Sequence, residues 1–333
     1  MAEAHAPMTP GAPILSRCRV LVAGGFGQLG RWLARRPVGD LVEVCNVGRK
    51  HSEIYGPGMD LSDRGSIEHA LEVFRPQVVI NAAAFTAVDA AEDDEAAAAA
   101  INVDGSARLA AECARRDIPL VHVSTDYVPG LYAPVEDPAG APSLAASVPE
   151  AIDFASEAGV YARTKWEGEL AVRRAHPGAT VVRTAWVYSG PARSRLEGLG
   201  GGDFVTTMLR LESERDSVNV VDDQWGNPTF ACDLAEGLLQ LANRLASGDR
   251  ALSGAVLNAA GGGRATWHDL AAEAFALAGA DRARVLPVGT DEFPRPAARP
   301  SFSVLGDSEW RRAGLMPLPH WRDGLRRAFT MAR

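Results

Sequence analysis

The stretch RVLVAGGFGQLG, residues 19–30, decides the architecture of this chain. Arg19–Ala23 is a short apolar run of strand length, and glycines follow it at once. The turn Gly24-Gly25-Phe26-Gly27-Gln28-Leu29-Gly30 holds both a G-x-x-G-x-x-G and a G-x-G-x-x-G frame. Glycine is needed where φ is positive and where backbone must approach a pyrophosphate closely. A glycine triplet also makes ordinary tight turns, so its weight comes from context. Here a strand precedes it and a helical stretch, Gln28–Arg36, follows. The first amides of such a helix point at phosphates. Gly24, Gly27, Gln28, Leu29 and Gly30 are therefore expected to hold a dinucleotide.

Outward from this turn, strand and helix alternate. Leu41–Val47, Val78–Asn81 and Leu120–Ser124 are further strand-length runs. Ser66–Phe74 and a long Ala/Glu/Arg segment, Ala90–Arg116, read as helices. Ala179–Thr184 and Val256–Ala260 read as later strands, and after Gly263 the pattern turns to helices and Pro-rich connections. Such alternation predicts an α/β fold: a Rossmann-like doubly wound parallel sheet with a smaller, mainly C-terminal α/β substrate domain. Residues 1–16 are expected to form a disordered tail. Residues 17–189 and 229–260 are assigned to the cofactor domain, and 190–228 and 261–333 to the second one. Pro-rich Leu131–Pro149 and Gly-rich Ser189–Gly202 read as loops.

Composition limits the function. The 333 residues are 47% apolar and 23% charged, as in globular proteins. Acidic residues outnumber basic ones, 42 to 34, for a net charge of −8, which argues against a nucleic-acid backbone as partner. No run reaches the about 18 apolar residues of a membrane span, and the first residues show neither the basic n-region nor the apolar core of a secretion signal, so none is expected. Cys18, Cys45, Cys113 and Cys232 are scattered without a CxxC pair, so neither a disulfide framework nor a zinc site is expected, and a reducing cytoplasm is the natural setting. Only two of the basic residues are lysines, Lys50 and Lys165. A lysine kept in so Arg-biased a chain points to a job that a guanidinium cannot do.

Both lysines fall where a nucleotide enzyme would use them. Arg49-Lys50 stands about 20 residues past Gly30, where the second strand should meet the adenosine ribose. An acidic residue there selects NAD; two cations suit a 2′-phosphate, so NADPH is favoured, with NADH left open. Asp60-Leu61 would flank the adenine. Lys165 closes a Y-x-x-x-K with Tyr161, and i and i+4 share a helix face. An ammonium beside the phenol is expected to lower its pKa toward neutrality and make it a general acid. Thr125 or Ser124, at the end of a preceding strand, could hold a carbonyl against it.

With these residues in place, the sequence resembles the extended short-chain dehydrogenase/reductase superfamily, and within it the dTDP-4-dehydrorhamnose reductase family and related 4-keto-6-deoxyhexose reductases. The resemblance runs from Arg19 to Ala328. It is carried by GGFGQLG (24–30), INAAAFTAVDAAE (80–92), STDYV (124–128), YARTKWEGE (161–169), RTAWVYS (183–189), DFVTTMLRL (203–211), VVDDQWGNPTFACDLA (220–235) and RPSFSVL (299–305). It implies a catalytic trio of Thr125, Tyr161 and Lys165, with Lys165 also on the nicotinamide ribose. Ala82, Ala83 and Ala84 would line the cofactor groove, and Asn102 would sit near the nicotinamide half. Asp126 and Tyr127 would border the sugar, Trp186 would pack on its ring, and Arg299, with Arg295 a second candidate, would meet the diphosphate. Asp223, Gln224 and Gly226–Thr229 read as a turn joining the two domains.

The implied reaction is NADPH-dependent reduction of the C4 keto group of a dTDP-linked keto-deoxysugar, in rhamnose or secondary-metabolite deoxysugar biosynthesis. Some reductases of this type use a divalent cation; no ligand set matches here, so no metal is assigned. A homodimer is left open. Departures include Pro129-Gly130 after STDYV, a longer stretch before Tyr161, Asp203 and Phe302 where Asn is usual, and Gly306 where Asp is common. They border the sugar or nucleotide and leave the sugar's identity open. Two other readings stand beside this one. A sugar-nucleotide dehydratase or epimerase would need a carboxylate base where Tyr127 follows Asp126. A non-catalytic NADP-binding regulatory subunit would not need the complete trio.

Overall fold

The structure is a computed structural model that describes residues 18–35, 42–51, 56–128, 135–136, 142–143, 159–196 and 198–332. The expected tail and most of the 131–149 loop lie outside these residues.

The central sheet contains β1 (Cys18–Ala23), β2 (Val42–Val47), β3 (Val78–Asn81), β4 (Leu120–Thr125), β5 (Thr180–Thr184) and β7 (Val256–Asn258). A separate pair is formed by β6 (Val218–Val221) and β8 (Val285–Val288). The sheet order is β7-β5-β4-β3-β1-β2, and every pairing is parallel. The winding reverses at β1, which lies between β2 and β3. Loops beyond the carboxyl ends of the strands diverge there and leave a crevice.

Period-two alternation sends successive β1 residues to opposite cores. Val20 and Val22 pack with Trp32 and Leu33 of α1 (Gln28–Arg35) and with Leu234 and Leu238 of α8 (Ala231–Ala246). Leu21 and Ala23 pack with Ile67 and Leu71 of α2 (Arg64–Phe74), Leu109 of α5 (Ser106–Arg115) and Val172 of α6 (Val160–Ala175). Helices thus cover both faces, which is why the strands are nearly continuous apolar runs.

The helix expected over Ala90–Arg116 is broken into α3 (Val88–Asp93), α4 (Glu95–Ala99), a π-helical turn over Ala100–Gly105, and α5. Asp94 makes the first break, because its carboxylate caps the Ala97 amide at 3.0 Å. The π turn swings Asn102 inward and lets Gly105 pack against Leu61, where a Cβ would sit 2.9 Å from the leucine. Alanine-rich composition signals helix but does not mark such internal stops. The Ser189–Gly202 segment is likewise not all loop: Gly190–Arg195 forms a 3₁₀ turn.

The smaller layer holds a strand pair as well as the expected helices. β6 and β8 pair in parallel, and Val218, Val220 and Val285 pack on Met208 of α7 (Phe204–Glu214) and on Ala271 and Phe275 of α9 (Trp267–Ala278). β8 contains Pro287, which hides it from a propensity reading. Capping boxes start both helices, Asp203 with Thr206 on α7 and Thr266 with Asp269 on α9. α10 (Ser308–Arg312) and α11 (Trp321–Ala332) complete the chain.

Candidate active site

The glycine turn sits at the switch point. Gly24 has φ +77°, and a Cβ there would lie 2.7 Å from the Ala83 nitrogen. A Cβ on Gly30 would lie 2.5 Å from the Gly25 Cα, so α1 begins pressed against the turn. Asn46 of β2 ties this geometry together, donating to the carbonyls of Gly25 at 2.7 Å and Gly30 at 2.8 Å. Gly27 is exposed, and the first-turn amides of α1 have no intrahelical acceptors. Small Ala82, Ala83 and Ala84 line the opposite wall, half-buried after β3. The turn therefore fits a dinucleotide pyrophosphate. Leu29 is half-buried beside the turn, while the Gln28 side chain turns away and donates to Ser189 Oγ at 2.9 Å.

Arg49 and Lys50 are exposed just past β2. Asp60 bonds the Ser62 amide and hydroxyl, which hold its carboxyl below the usual range, with Arg49 adding to the effect. Leu61 is buried against Gly105. Asn102 is buried with its amide committed: it accepts from the Phe85 amide at 2.9 Å and donates to Thr164 Oγ1 at 3.1 Å. It clamps the loop after β3 onto α6 beside the groove, so its amide is spoken for by protein groups.

Thr125 ends β4, and α6 brings Tyr161 and Lys165 to the same edge. The Thr125 hydroxyl donates to Asp126 Oδ1 at 3.2 Å, and Thr125 lies close enough to the Tyr161 phenol to lower its pKa. Tyr161 stands edge-to-face on Tyr127, ring centroids 5.3 Å apart. The expected lowering of its pKa is not what this geometry produces. Burial pushes the phenol up to about 12, and Asp126 adds to the rise while Thr125 opposes it. Lys165 is itself buried and donates one of its three N–H bonds to the Val123 carbonyl at 2.9 Å, and it is not among the groups that shift the phenol. Burial brings Lys165 down to about 8, against the upward pull of Glu169 one turn on. A phenol that keeps its proton is the form a ketone reduction starts from.

Asp126 is buried, and burial raises its carboxyl to about 6; Ser303 and Thr125 pull it back only in part. Its Oδ2 has no hydrogen-bond partner among the described residues. Beyond it opens a cavity of about 710 Å³ lined by Asp89, Tyr127, Trp186, Phe204, Gln224, Trp267 and Arg299 among others. Trp186 holds φ +45°, a strained value for a bulky residue. Its indole stacks on Trp267 at 3.6 Å, and its other face meets Gly226, where a Cβ would sit 2.4 Å from the ring. Both faces are covered, so Trp186 offers the cavity an edge and not the stacking face expected from sequence. Arg299 pairs with Asp89 at 2.8 Å, and Arg295 stands 4.0 Å from the same carboxylate.

Asp89 and Trp267 were missed in the sequence. Asp89 lies in a helix whose acidic residues look like a solvated face, and Trp267 looks like a core aromatic; neither carries a motif. The turn at 223–229 is partly structural, as read. Asp223 binds the Thr290 amide at 2.9 Å, and Asn227 accepts from the Leu305 amide at 2.6 Å. Gln224 does more, lining the cavity and accepting from Trp267 Nε1 at 3.2 Å. Among the described residues no group of three or more His, Cys, Asp or Glu is placed to hold a metal, and no helix is long and apolar enough to cross a membrane.

What this geometry defines is a Rossmann-type, NAD(P)-dependent oxidoreductase with a second pocket beside the cofactor groove. The dTDP-4-dehydrorhamnose reductase of Mycobacterium tuberculosis is 41% identical over 94% of this chain and 92% of its own length. A probable dTDP-4,6-dihydroxy-2-methyloxan-3-one 4-ketoreductase of Streptomyces antibioticus is 42% identical over 93% of this chain and 94% of its own. A Bacillus anthracis dTDP-4-dehydrorhamnose reductase solved with NADP superposes with a TM-score of 0.76 at 30% identity, covering 94% of this chain and 99% of that one. The chain belongs to the RmlD substrate binding domain family, whose model matches residues 18–333.

Proposed function

We propose that the protein reduces the C4 keto group of a dTDP-linked 4-keto-6-deoxyhexose with NADPH. The observation that carries this reading is the closeness of Thr125, at the end of β4, to the Tyr161 phenol, whose ring packs on Tyr127 in the wall of the sugar-sized cavity. Residues 17–189 and 229–260 hold the dinucleotide; 190–228 and 261–333 supply most of the sugar-nucleotide pocket. The glycine turn, Gln28 and Leu29 amides cradle the pyrophosphate, the alanines at 82–84 let the dinucleotide lie close, and Asn102 shapes the nicotinamide end. Asp60 and Leu61 border the adenine.

Bound NADPH supplies the two electrons and the hydrogen that the carbonyl carbon gains. Tyr161 donates its proton to the carbonyl oxygen, and Thr125 shares the charge that develops there. Lys165 offsets the phenolate left behind. Asp126 and Tyr127 hold sugar hydroxyls, the Trp186 edge limits the ring's position, and Arg299 answers the diphosphate by loosening from Asp89. The names of the relatives, including one bound to NADP, favour this substrate class and cofactor. The direct test is loss of NADPH absorbance with a dTDP-4-keto-6-deoxysugar. A sugar that rearranges with no net NADPH consumption would favour the epimerase or dehydratase reading instead.

Two predictions follow from particular contacts. Replacing Arg49 and Lys50 together with Ala should raise the KM for NADPH by roughly 10–100-fold, since each of two charged contacts at an exposed site contributes about 1 kcal/mol. The KM for NADH should stay level, and parallel cofactor titrations would show it. Gly226→Ala drives a methyl into the Trp186 indole. The kcat/KM for the sugar nucleotide should fall by on the order of 10–100-fold through misplacement of the sugar, with NADPH affinity unchanged.

A further inference from the structure

His122 and Ser124 of β4 share one face of the sheet with Leu120, the face covered by α5 and α6. Between them in the strand lies Val123, whose carbonyl accepts from Lys165 Nζ at 2.9 Å. His122 is buried, and a chain of bonds fixes its tautomer. The Ala83 amide donates to Asn81 Oδ1 at 3.1 Å, which orients the asparagine amide. Its two Nδ2 hydrogens then go to Ser106 Oγ and to His122 Nδ1, each at 3.2 Å. Nδ1 is thus an acceptor, and the imidazole proton sits on Nε2.

That Nε2–H has no acceptor among the described residues, and neither has the neighbouring Ser124 hydroxyl a partner. Burial and the Lys165 charge together keep the imidazole neutral. An ammonium can only donate, so it cannot satisfy Nε2–H. The two groups lie on one face of β4; the imidazole N–H needs an acceptor, the hydroxyl can donate or accept, and a water supplies what each lacks.

We propose that His122 is a positioning residue for Lys165: with Ser124 it holds an internal water against the ammonium. This water lets Lys165 stay protonated in a site that otherwise strips it of solvent. The charged groups around it are few. Glu169 on α6 is held by Arg183 of β5 in a buried pair with bonds of 2.6 and 2.9 Å, Tyr161 is on the same helix, and Asp126 follows β4. His122 is uncharged, so removing it alters no Coulombic interaction and acts on Lys165 only through the water.

The inference rests on the catalytic reading of Lys165, yet it can be tested without substrate. The chain has two lysines, so a protein labelled with ¹³C at lysine Cε gives two resonances, of which exposed Lys50 is one. Titration of wild-type protein, His122→Phe and His122→Gln reads the Lys165 midpoint directly. The midpoint should fall by about one pH unit in His122→Phe, which keeps a flat ring and loses the donor, and recover in His122→Gln, which keeps an N–H. Equal midpoints in wild type and His122→Phe would overturn the proposal. Should His122→Phe not fold, the ¹⁵N spectrum of histidine-labelled wild type decides. A neutral Nε2–H imidazole from pH 6 to 9 supports the proposal, and an Nδ1–H or titrating one sinks it. Neither readout depends on turnover, so a failure to consume NADPH would count against the proposed reaction alone.

Discussion

Tyr161→Phe should lower kcat by roughly 10²–10⁴-fold, the range that a positioned general acid contributes. The phenylalanine ring can keep the edge-to-face contact with Tyr127, so folding and NADPH affinity should be unaffected. Stopped-flow NADPH oxidation with the keto-sugar nucleotide, beside cofactor binding by fluorescence, separates the two quantities. A variant that retained most of its turnover would remove Tyr161 from the proton-donor role. A wild type with no turnover to lose would instead point to an NADP-binding subunit. Because burial holds the phenol at about 12, it remains the protonated acid throughout the neutral range. The alkaline limit of activity should therefore follow Lys165, at about 8, rather than the tyrosine.

Asp126→Asn should stabilise the fold at pH 8 and do nothing to it near pH 3. The carboxyl titrates at about 6 in the folded protein, against an ordinary value near 4 in the unfolded chain. The folded state thus holds its proton longer, and stability drops as pH rises from about 4 to about 6. The full cost, about 3 kcal/mol, persists above that window. Asparagine has no charge to bury, so its Tm should exceed that of wild type by several degrees at pH 8, with the gap closing below pH 4. Thermal melts across pH read this directly. A constant gap at all pH values would show that packing rather than ionisation is responsible. If Asp126 borders the sugar as proposed, the KM for the sugar nucleotide should rise at the same time, because that carboxylate is lost. Stability given up at a binding site is the usual trade.

The central sheet was legible because each strand carries its own evidence. Arg19–Ala23 ends in glycines that only a close turn requires, and Val78–Asn81 and Leu120–Ser124 are short apolar runs between helices. β8 was not legible, because Pro287 argues against a strand and only pairing with Val218–Val221 makes one. The same contrast runs through the site. Tyr161 and Lys165 announce themselves by spacing, whereas Asp89 becomes a site residue only when Arg299, far along the chain, folds back to 2.8 Å from it.

By itself the sequence determined which side chains are present and which of them share a helix face or a strand end, since those relations follow from local backbone periods of 3.6 and 2. That sufficed for the parallel α/β sheet, the glycine turn and the shared helix face of Tyr161 and Lys165, while family resemblance added Thr125 to them as an expected catalytic trio. Only the tertiary structure decided what each group experiences. The phenol's pKa goes up and not down, Trp186 is covered on both faces, and one Asp126 oxygen has no partner among the described residues. These outcomes depend on burial and on partners distant in sequence. Desolvation is a property of everything packed around a group, which no stretch of its own chain contains.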